Sequence, residues 1–310
     1  MDKKKLSVIV SCFNEEEAIP MFYQAIVSTS EKMDNLDFEF IFVDDGSRDN
    51  TLKVIKKLRN NDERVRYISF SRNFGKEAAM YAGLKSAVGD YVTVMDADLQ
   101  DPPSLLPEMY RLIALEGYDI VATRRKTRAG EPKLRSFFAR KFYKLINKMT
   151  DKVEIVDGAR DFRLMTRQVV DSILELDEYN RFSKGIFSFV GFNTKWIEYE
   201  NIKRIAGTTK WSFIALFKYA IDGIVAFTIT PLKWPIYFGI LSIIISIIMF
   251  IIMIFNGFKL TLLYNIITLI MFMFGLLFIF LGNIGLYLDK DYLEDKKRPK
   301  YIIKETEETI

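Results

Sequence analysis

The N-terminal part of the chain alternates between short apolar, β-branched runs and longer segments in which apolar residues recur every three or four positions. The short runs predict β-strands at 6–11, 38–43, 65–70, 91–95 and 118–123. The longer segments predict α-helices at 16–33, 49–59, 76–87 and 103–116. Strands that alternate with helices indicate an α/β domain built on a mainly parallel sheet.

Each of the first four predicted strands ends in a cluster of polar or acidic residues. The clusters are SCFNEE at 11–16, DDGS at 44–47, SRNFGK at 71–76 and DADLQD at 96–101. Because ligands of such sheets bind beyond the carboxyl ends of the strands, we expect the clusters to meet at one edge. The sequence contains no GxGxxG or Walker A motif, so a dinucleotide or P-loop site is not expected.

The acidic residues after the fourth strand indicate a cation site. Helix capping is the ordinary role of an acid at a strand-to-helix turn, and Asp49 fits it. Capping does not explain Asp96 and Asp98, because a cap needs one side chain and the prolines at 102–103 delay the next helix. Two carboxylates separated by one residue can bind a common cation. D-x-D spacing is frequent by chance, and its position after an apolar strand is what supports the metal site.

The C-terminal third has a different character, with two long stretches, 234–258 and 260–288, that contain no charged residue. Each exceeds the ~20 residues that cross a bilayer as a helix, so we predict transmembrane helices at about 234–256 and 262–288. Lys and Arg are concentrated on the outer flanks, whereas Lys259 alone lies in the connecting turn. The positive-inside rule then predicts a cell-membrane protein with two spans and with both termini in the cytoplasm.

The predicted organisation is a cytoplasmic domain over residues 1–230, two spans within 231–289 and a charged cytoplasmic tail over 290–310. Two segments of the first domain are typical of a membrane surface. Residues 133–149 combine many cations with apolar residues at helical spacing, and residues 212–227 are predicted to form an apolar helix. Nucleic acid is the other common partner of a basic patch, but the adjacent spans favour lipid, and we expect no nucleic-acid binding.

The residue types present restrict the chemistry. The sequence holds one cysteine, Cys12, and no histidine. Disulfides, Cys/His zinc sites and Cys–His or Ser–His catalytic pairs are therefore excluded. A bound metal must have oxygen ligands, which favours Mg²⁺, Mn²⁺ or Ca²⁺. Proton transfer near neutral pH must use carboxylates, Lys or Tyr.

Five motifs, in this order, resemble the family 2 inverting glycosyltransferases, which have the GT-A (Rossmann-like) fold. The motifs are SCFNEE, FVDDGSRDNT, SRNFGKEAA, MDADLQDPP and GARDFRLM. The third resembles the polyprenyl-phosphate branch of the bactoprenol glucosyltransferases more than the dolichol-phosphate mannose synthases. The resemblance covers residues 6 to about 230 and extends to the C-terminal hairpin.

The resemblance implies roles for individual residues. Asp96 and Asp98, with Gln100 as a further oxygen ligand, would bind Mg²⁺ or Mn²⁺. The nucleotide sugar would be bound by residues from all four strand ends: Asn14, Glu15, Asp44, Asp45, Lys76, Asp96, Ala97 and Asp98. Four cations are candidates for gripping the donor or acceptor phosphates: Arg124, Arg135, Arg204 and Lys210.

Asp161 occupies the position at which the family places its proposed catalytic base, and Asp157 is the runner-up. A lipid monophosphate acceptor has a second pKa of ~6 and is mostly dianionic at neutral pH. Deprotonation would then contribute little, and Asp161 would chiefly orient the sugar or the acceptor. A plain ion pair with Arg160 or Arg163 is the structural alternative.

Together these observations predict a membrane-anchored, metal-dependent hexosyltransferase. It would transfer a hexose, with glucose from UDP-glucose as the first choice, to polyprenyl (undecaprenyl) phosphate on the cytoplasmic leaflet, for modification of a cell-envelope glycan. A homo-oligomer is left open, as are other nucleotide sugars. The alternatives are a processive polysaccharide synthase-like transferase, although no Q-x-x-R-W motif is present, and a non-catalytic membrane adaptor on a transferase fold.

Overall fold

The computed structural model describes residues 3–126, 156, 158–179, 181–200, 244 and 261–308. Several predictions lie outside these residues: the interfacial helices at 133–149 and 212–227, the first span at 234–256 except residue 244, and the site candidates Arg135, Asp157, Arg204 and Lys210. Two compact units make up the chain. The first contains residues 1–220 and 299–310, and the second contains residues 221–298.

Within the described residues, the first unit contains eight strands and six α-helices. The strands are β1 (Lys4–Cys12), β2 (Leu36–Asp44), β3 (Val65–Phe70), β4 (Tyr91–Asp96), β5 (Ile120–Arg125), β6 (Ala159–Thr166), β7 (Thr194–Tyr199) and β8 (Ile303–Thr306). The helices are α1 (Ala18–Ser30), α2 (Thr51–Asn61), α3 (Lys76–Ser86), α4 (Leu106–Glu116), α5 (Arg167–Glu175) and α6 (Ser183–Phe189). All nine predicted elements are confirmed, with ends that differ by a few residues.

The strands form one sheet in the order β7-β5-β6-β4-β1-β2-β3-β8. β1 to β4 are mutually parallel, and β5 is parallel to β7. β6 lies antiparallel between β4 and β5, and β8 lies antiparallel to β3. Six of the eight strands therefore run in one direction, which confirms the predicted mainly parallel sheet, and β6 and β8 run against them. β6 and β8 come late in the chain and pair with β4 and β3, which lie much earlier in the sequence.

The centre of the sheet is buried on both faces. Val8, Ile9 and Val10 of β1 are fully buried, as expected for a strand that carries helices on both sides. α3 approaches β1 closely at Gly83, where a Cβ atom would lie 2.2 Å from the Cγ2 atom of Ile9. This close packing fixes the position of α3 on the sheet and brings its first residue, Lys76, to the carboxyl edge.

The end of the chain adds an edge strand that the sequence analysis did not predict. β8 pairs with β3, and the ring of Tyr301 stacks on Phe70 at 4.8 Å between centroids. The carboxylate of Glu307 accepts hydrogen bonds from Arg66 at 2.8 Å and from the backbone N–H of Tyr67 at 3.0 Å. β8 thus covers an edge of β3 that would otherwise expose unpaired backbone groups.

The second unit contains one long described helix, α7 (Thr261–Asp295), which includes the second predicted span. In the part of the chain that the structure describes, no helix has both the length and the apolar character needed to cross a membrane. The two-span hairpin stays a prediction.

Candidate active site

The polar clusters predicted from the sequence do meet at one edge of the sheet. Cys12 at the end of β1 lies opposite Asp44 of β2, and Ser11 lies opposite Asp96 of β4. The backbone N–H of Asp45 donates to the carbonyl of Cys12 at 2.9 Å. Parallel strands that end in register therefore collect side chains from distant parts of the sequence.

Asp44 and Asp45 are buried and hydrogen-bonded to the protein itself. Asp44 accepts a bond from the N–H of Ser47 at 3.0 Å and one from the hydroxyl of Ser69 at 2.8 Å. The two oxygens of Asp45 accept the N–H groups of Phe74 at 2.6 Å and Gly75 at 2.9 Å. Burial raises the pKa of Asp45 to about 6, although these two N–H groups oppose the change. Both acids fix the conformation of the adjacent loops, and their contact with a nucleotide stays a prediction.

Gly46 allows this turn to pack against the loop that precedes α3. Its φ is +66°, and a Cβ atom there would lie 2.3 Å from the backbone carbonyl carbon of Arg72. A side chain would be strained by the backbone conformation and would also clash. The DDGS motif thus contains a glycine because two loops touch at this point.

Asn14 follows β1 in a left-handed conformation, with a φ of 53°. Its side-chain oxygen accepts the N–H of Arg48 at 2.8 Å, and its own N–H donates to the hydroxyl of Ser47 at 2.9 Å. The N–H of Glu15 donates to the hydroxyl of Thr51 at 2.8 Å. Asn is one of the residues that tolerates this conformation, so the NEE segment is held against the second polar cluster by backbone geometry.

The acidic strand tip forms a tight turn. Asp96 ends β4, and Leu99 adopts a positive φ of 55°. The carboxylate of Asp98 accepts the N–H of Gln100 at 3.0 Å. The side-chain oxygen of Gln100 accepts a hydrogen bond from Arg125 at 3.2 Å, a contact that the sequence analysis did not foresee. The three predicted oxygen ligands thus lie in one short turn at the end of β4.

Lys76 connects the strand tip to the predicted base. Its ammonium group lies 2.7 Å from a carboxylate oxygen of Asp96 and 2.5 Å from one of Asp161. Asp161 thus forms an ion pair, and its partner is Lys76 rather than Arg160 or Arg163, the partners weighed in the structural alternative. Arg163 instead donates to the backbone carbonyl of Asp161 at 3.3 Å. The first residue of α3 neutralises two acids that are far apart in the sequence.

This ion pair determines the charge state of Asp161. Burial alone would raise the pKa of its carboxyl group, but the positive charges of Lys76 and Lys184 hold that pKa well below its usual range. Burial likewise opposes the charge on Lys76, and the two acids raise its pKa above the ordinary value. Asp161 is therefore an anion at neutral pH and a weak proton acceptor.

Comparison with known proteins identifies the family. The sequence profile of glycosyl transferase family 2 matches residues 7–174. CsbB of Bacillus subtilis, which carries the name of a glycosyltransferase, is 43% identical over 309 residues, covering 98% of this chain and 93% of its own length. The chain belongs to glycosyl transferase family 2. A prophage bactoprenol glucosyl transferase homolog of Escherichia coli is 40% identical over 304 residues, covering 97% and 98%.

A solved structure also aligns with this family 2 glycosyltransferase. It is glucosyl-3-phosphoglycerate synthase from Mycobacterium tuberculosis in complex with phosphoglyceric acid, with 20% identity and a TM-score of 0.49. The alignment covers 72% of this chain and 78% of that one. Family membership agrees with the α/β, GT-A-like sheet found here, in which β6 and β8 are the antiparallel strands.

Arg160 of the family 2 glycosyltransferase is a site residue that the sequence analysis weighed only as an ion-pair partner. Its guanidinium group binds Asp101 through two hydrogen bonds of 2.7 and 3.0 Å, and lies 3.7 Å from Asp96. The fully buried Asp101 also accepts the hydroxyl of Tyr199. Adjacency to Asp161 in GARDFRLM was the available signal. Arg160 supports the strand tip and adds positive charge beside it.

Arg124, a predicted phosphate ligand, lies in β5 and pairs with Glu198. Both side chains are exposed. Such a pair contributes little to stability, so Arg124 can exchange its partner at small cost. Its role toward phosphate stays a prediction.

The strand tip fits a divalent cation. Asp96 and Asp98 supply carboxylates, and Gln100 supplies an amide oxygen. Among the described residues, no group of three or more Asp, Glu, Cys or His side chains could hold a metal by itself. Mg²⁺ typically binds through one or two carboxylates completed by substrate phosphates, and a two-acid tip matches that pattern.

Proposed function

We propose that this chain is a membrane-anchored, metal-dependent hexosyltransferase that transfers glucose from UDP-glucose to polyprenyl phosphate at the cytoplasmic leaflet. The observation that carries the proposal is the meeting of Asp96 and Asp161 on the ammonium group of Lys76. The name of the Escherichia coli relative, a bactoprenol glucosyl transferase homolog, supports both the sugar and the lipid acceptor.

The donor diphosphate is proposed to lie at the strand tip. Asp96 and Asp98, with Gln100, would hold Mg²⁺ or Mn²⁺ there. When bound, the ion supplies positive charge that stabilises the departing diphosphate, by an amount on the order of several kcal/mol. Lys76 and Arg160 lie beside Asp96 and add fixed positive charge on the same side. Preorganised charges of this kind act most strongly where charge develops in the transition state.

The acceptor phosphate oxygen forms a bond to the anomeric carbon while the bond from that carbon to the diphosphate oxygen breaks. Attack from the opposite side inverts the configuration. The acceptor, with a second pKa of ~6, arrives largely as a dianion and needs no base. The lowered pKa of Asp161 agrees with this reaction, because its carboxylate is better suited to orienting the sugar through hydrogen bonds than to removing a proton.

Membrane anchoring is part of the proposal and is supported by the sequence pattern. The two charge-free stretches are each long enough to span a bilayer, and cations flank the pair on its outer sides. A lipid acceptor also requires the active site to lie close to a membrane surface.

Transfer to lipid can be measured directly. The purified full chain in detergent is incubated with radiolabelled UDP-glucose, undecaprenyl phosphate and Mn²⁺, and the lipid is extracted. We expect labelled lipid, and we expect EDTA to abolish it. The proposal is overturned when UDP-glucose, UDP-N-acetylglucosamine, UDP-galactose and GDP-mannose all fail to label lipid. A water-soluble polymer as the product would favour the processive synthase instead.

A further inference from the structure

A cavity of about 240 Å³ lies beside β6, on the strand that carries Asp161. Its lining includes two cations, Arg163 and Lys184, and the rings of Phe187, Phe192 and Trp196. Arg163 follows Asp161 by two residues in β6, so both side chains lie on the same face of the sheet. The cavity therefore adjoins the candidate active site and differs from the acidic strand tip in its chemistry.

Arg163 is a buried cation that forms no salt bridge with any described carboxylate. It is 3% exposed, and its planar guanidinium group lies over Phe187, with the Cζ atom 3.5 Å from the centroid of the ring. Its hydrogen bonds go to the backbone carbonyls of Arg160 at 2.9 Å and Asp161 at 3.3 Å. Burial lowers the pKa of Arg163 to about 10. The charges of Asp161 and Glu77 offset part of this burial penalty, and an anion in direct contact within the cavity would stabilise the cation further.

The two acids whose charges act on Arg163, Asp161 and Glu77, make direct contacts with other groups. The carboxylate of Asp161 pairs with Lys76. The carboxylate of Glu77 accepts hydrogen bonds from the hydroxyl and the backbone N–H of Ser183, the latter at 3.2 Å. These contacts hold the start of α6 against α3 and leave the acids directed to other partners. An anionic ligand in the cavity would then be a direct partner for Arg163.

Lys184 places a second positive charge between the cavity and the reaction centre. It lines the cavity from α6, and its charge is also felt by the carboxylate of Asp161. The rest of the lining includes three aromatic rings and two small apolar side chains, Val156 and Ala159, which suit an apolar chain, together with Ser188 and Thr194. Drug-sized ligands occupy roughly 300–1,000 Å³, so this smaller cavity can hold a phosphate and the first carbons of a chain, but not a whole lipid.

We propose that Arg163 and Lys184 bind the phosphate of the acceptor, a phosphate monoester of an isoprenoid alcohol, and that Phe187, Phe192 and Trp196 contact its first isoprene unit. This assignment rests on the proposed function and names its acceptor site. It places the attacking oxygen on the Asp161 side of the donor, opposite the leaving diphosphate at the strand tip.

Steady-state kinetics of the full chain test the assignment. Lys184→Gln removes one cation, and Trp196→Ala removes one ring. We expect each to raise the KM for polyprenyl phosphate by about tenfold, the effect of one charge-assisted hydrogen bond or one buried aromatic ring, with an unchanged KM for UDP-glucose. Lys195→Gln is the matched control, because Lys195 precedes Trp196 but is exposed, and it should change neither constant. An unchanged acceptor KM, or a raised donor KM, overturns the assignment.

Arg163→Ala could unfold a domain in which this residue is buried, so the exposed and half-buried positions above carry the kinetic test. A binding measurement then separates this site from the proposed function. Citronellyl phosphate, citronellol and inorganic phosphate are titrated into the wild type and Lys184→Gln by calorimetry. We expect citronellyl phosphate to bind most tightly and to weaken about tenfold in the variant.

The two proposals fail differently. Wild-type protein that labels no lipid, yet binds citronellyl phosphate through Lys184, would refute the transfer reaction and support the site. Labelled lipid with an unaffected acceptor KM in both variants would refute the site and leave the transfer reaction intact. Equal binding of inorganic phosphate and citronellyl phosphate would show a phosphate site without the isoprenoid contact, and would also overturn the assignment.

Discussion

Acids end two strands of this protein, β2 and β4, which lie on either side of β1, and Asp96 at the end of β4 has a different environment from Asp44 and Asp45 at the end of β2. Asp44 and Asp45, after β2, are 2% and 3% exposed, and their hydrogen bonds go to N–H and hydroxyl groups of adjacent loops. At the end of β4, the side chain of Asp96 is 22% exposed and pairs with Lys76 and, at 3.7 Å, with Arg160. The first pair is built into the wall of the site, whereas Asp96 faces long, charged side chains.

The difference shows how the same residue type serves structure in one place and chemistry in the other. Backbone N–H groups cannot move away without breaking a loop, so Asp44 and Asp45 have fixed partners. Lys76 can shift when a cation or a diphosphate enters, because its side chain is flexible, whereas Arg160 is held by Asp101. The hydrogen-bond and ion-pair partners of an acid, more than the acid itself, indicate whether it can accept a ligand.

The largest effect on activity is expected from replacing Asp96, which pairs with the mobile side chain of Lys76. Asp96→Asn should lower kcat at least about a hundredfold, roughly 3 kcal/mol of barrier, because the charge that would hold the cation is lost. Little change in melting temperature is expected from this partly exposed side chain. Asp171→Asn is the control, since its side chain is 58% exposed and pairs only with Arg167 on the same helix. An Asp96→Asn enzyme with normal kcat would contradict the cation site.

Substitutions in the turn that follows Asp44 and Asp45 should change the stability of the protein. Gly46→Ala adds a side chain at a positive φ and against the backbone of Arg72, so we expect a loss of about 2–4 kcal/mol in the free energy of unfolding. Gly117→Ala is matched in φ, at +75°, but meets open space and should cost only about 1 kcal/mol. Urea denaturation measures both, and equal losses would show that the loop contact is unimportant.

The fixed pair should also give the stability a pH dependence. Because the pKa of Asp45 is raised from 3.8 to about 6, the folded protein binds this proton more tightly than the unfolded chain does. The resulting stabilisation is complete below about pH 4 and is lost as the pH rises through about 6, up to about 3 kcal/mol in all. The unfolding free energy of the wild type should therefore fall relative to that of Asp45→Asn as the pH rises from 4 to 7. A constant difference would argue against the raised pKa.

The smallest effect sharpens the comparison at Lys76. Lys76→Gln removes the cation that competes for Asp96, so the affinity for Mn²⁺ without nucleotide should rise a few-fold, about 1 kcal/mol. Electron paramagnetic resonance of free Mn²⁺ measures this binding. The exposed Lys53→Gln serves as a control for the change in net charge. Unchanged or weaker Mn²⁺ binding in Lys76→Gln would mean that Lys76 does not compete with the ion.

The sequence was sufficient to predict the strand ends at which Asp96 and Asp98 lie. Apolar periodicity reveals a strand within a few residues, and the rule for parallel sheets then locates its polar tip. The ion pair between Lys76 and Asp161 could not be predicted, because it joins residues 85 positions apart. The alternative interpretation of Asp161 as an ion-paired residue named Arg160 and Arg163, because they lie next to it in the chain, and not Lys76.

The sequence by itself determined the alternation of strands and helices, the family, and the oxygen-only chemistry of any metal site, because periodicity, motif order and the absence of histidine are local or compositional properties. Only the tertiary structure decided that β6 and β8 run antiparallel, that Lys76 joins two acids, and that Arg163 lines a cavity with no salt bridge to a carboxylate of the described residues. Those features depend on which distant segments pair. Each such pairing contributes about a kcal/mol net and leaves little trace in the local sequence.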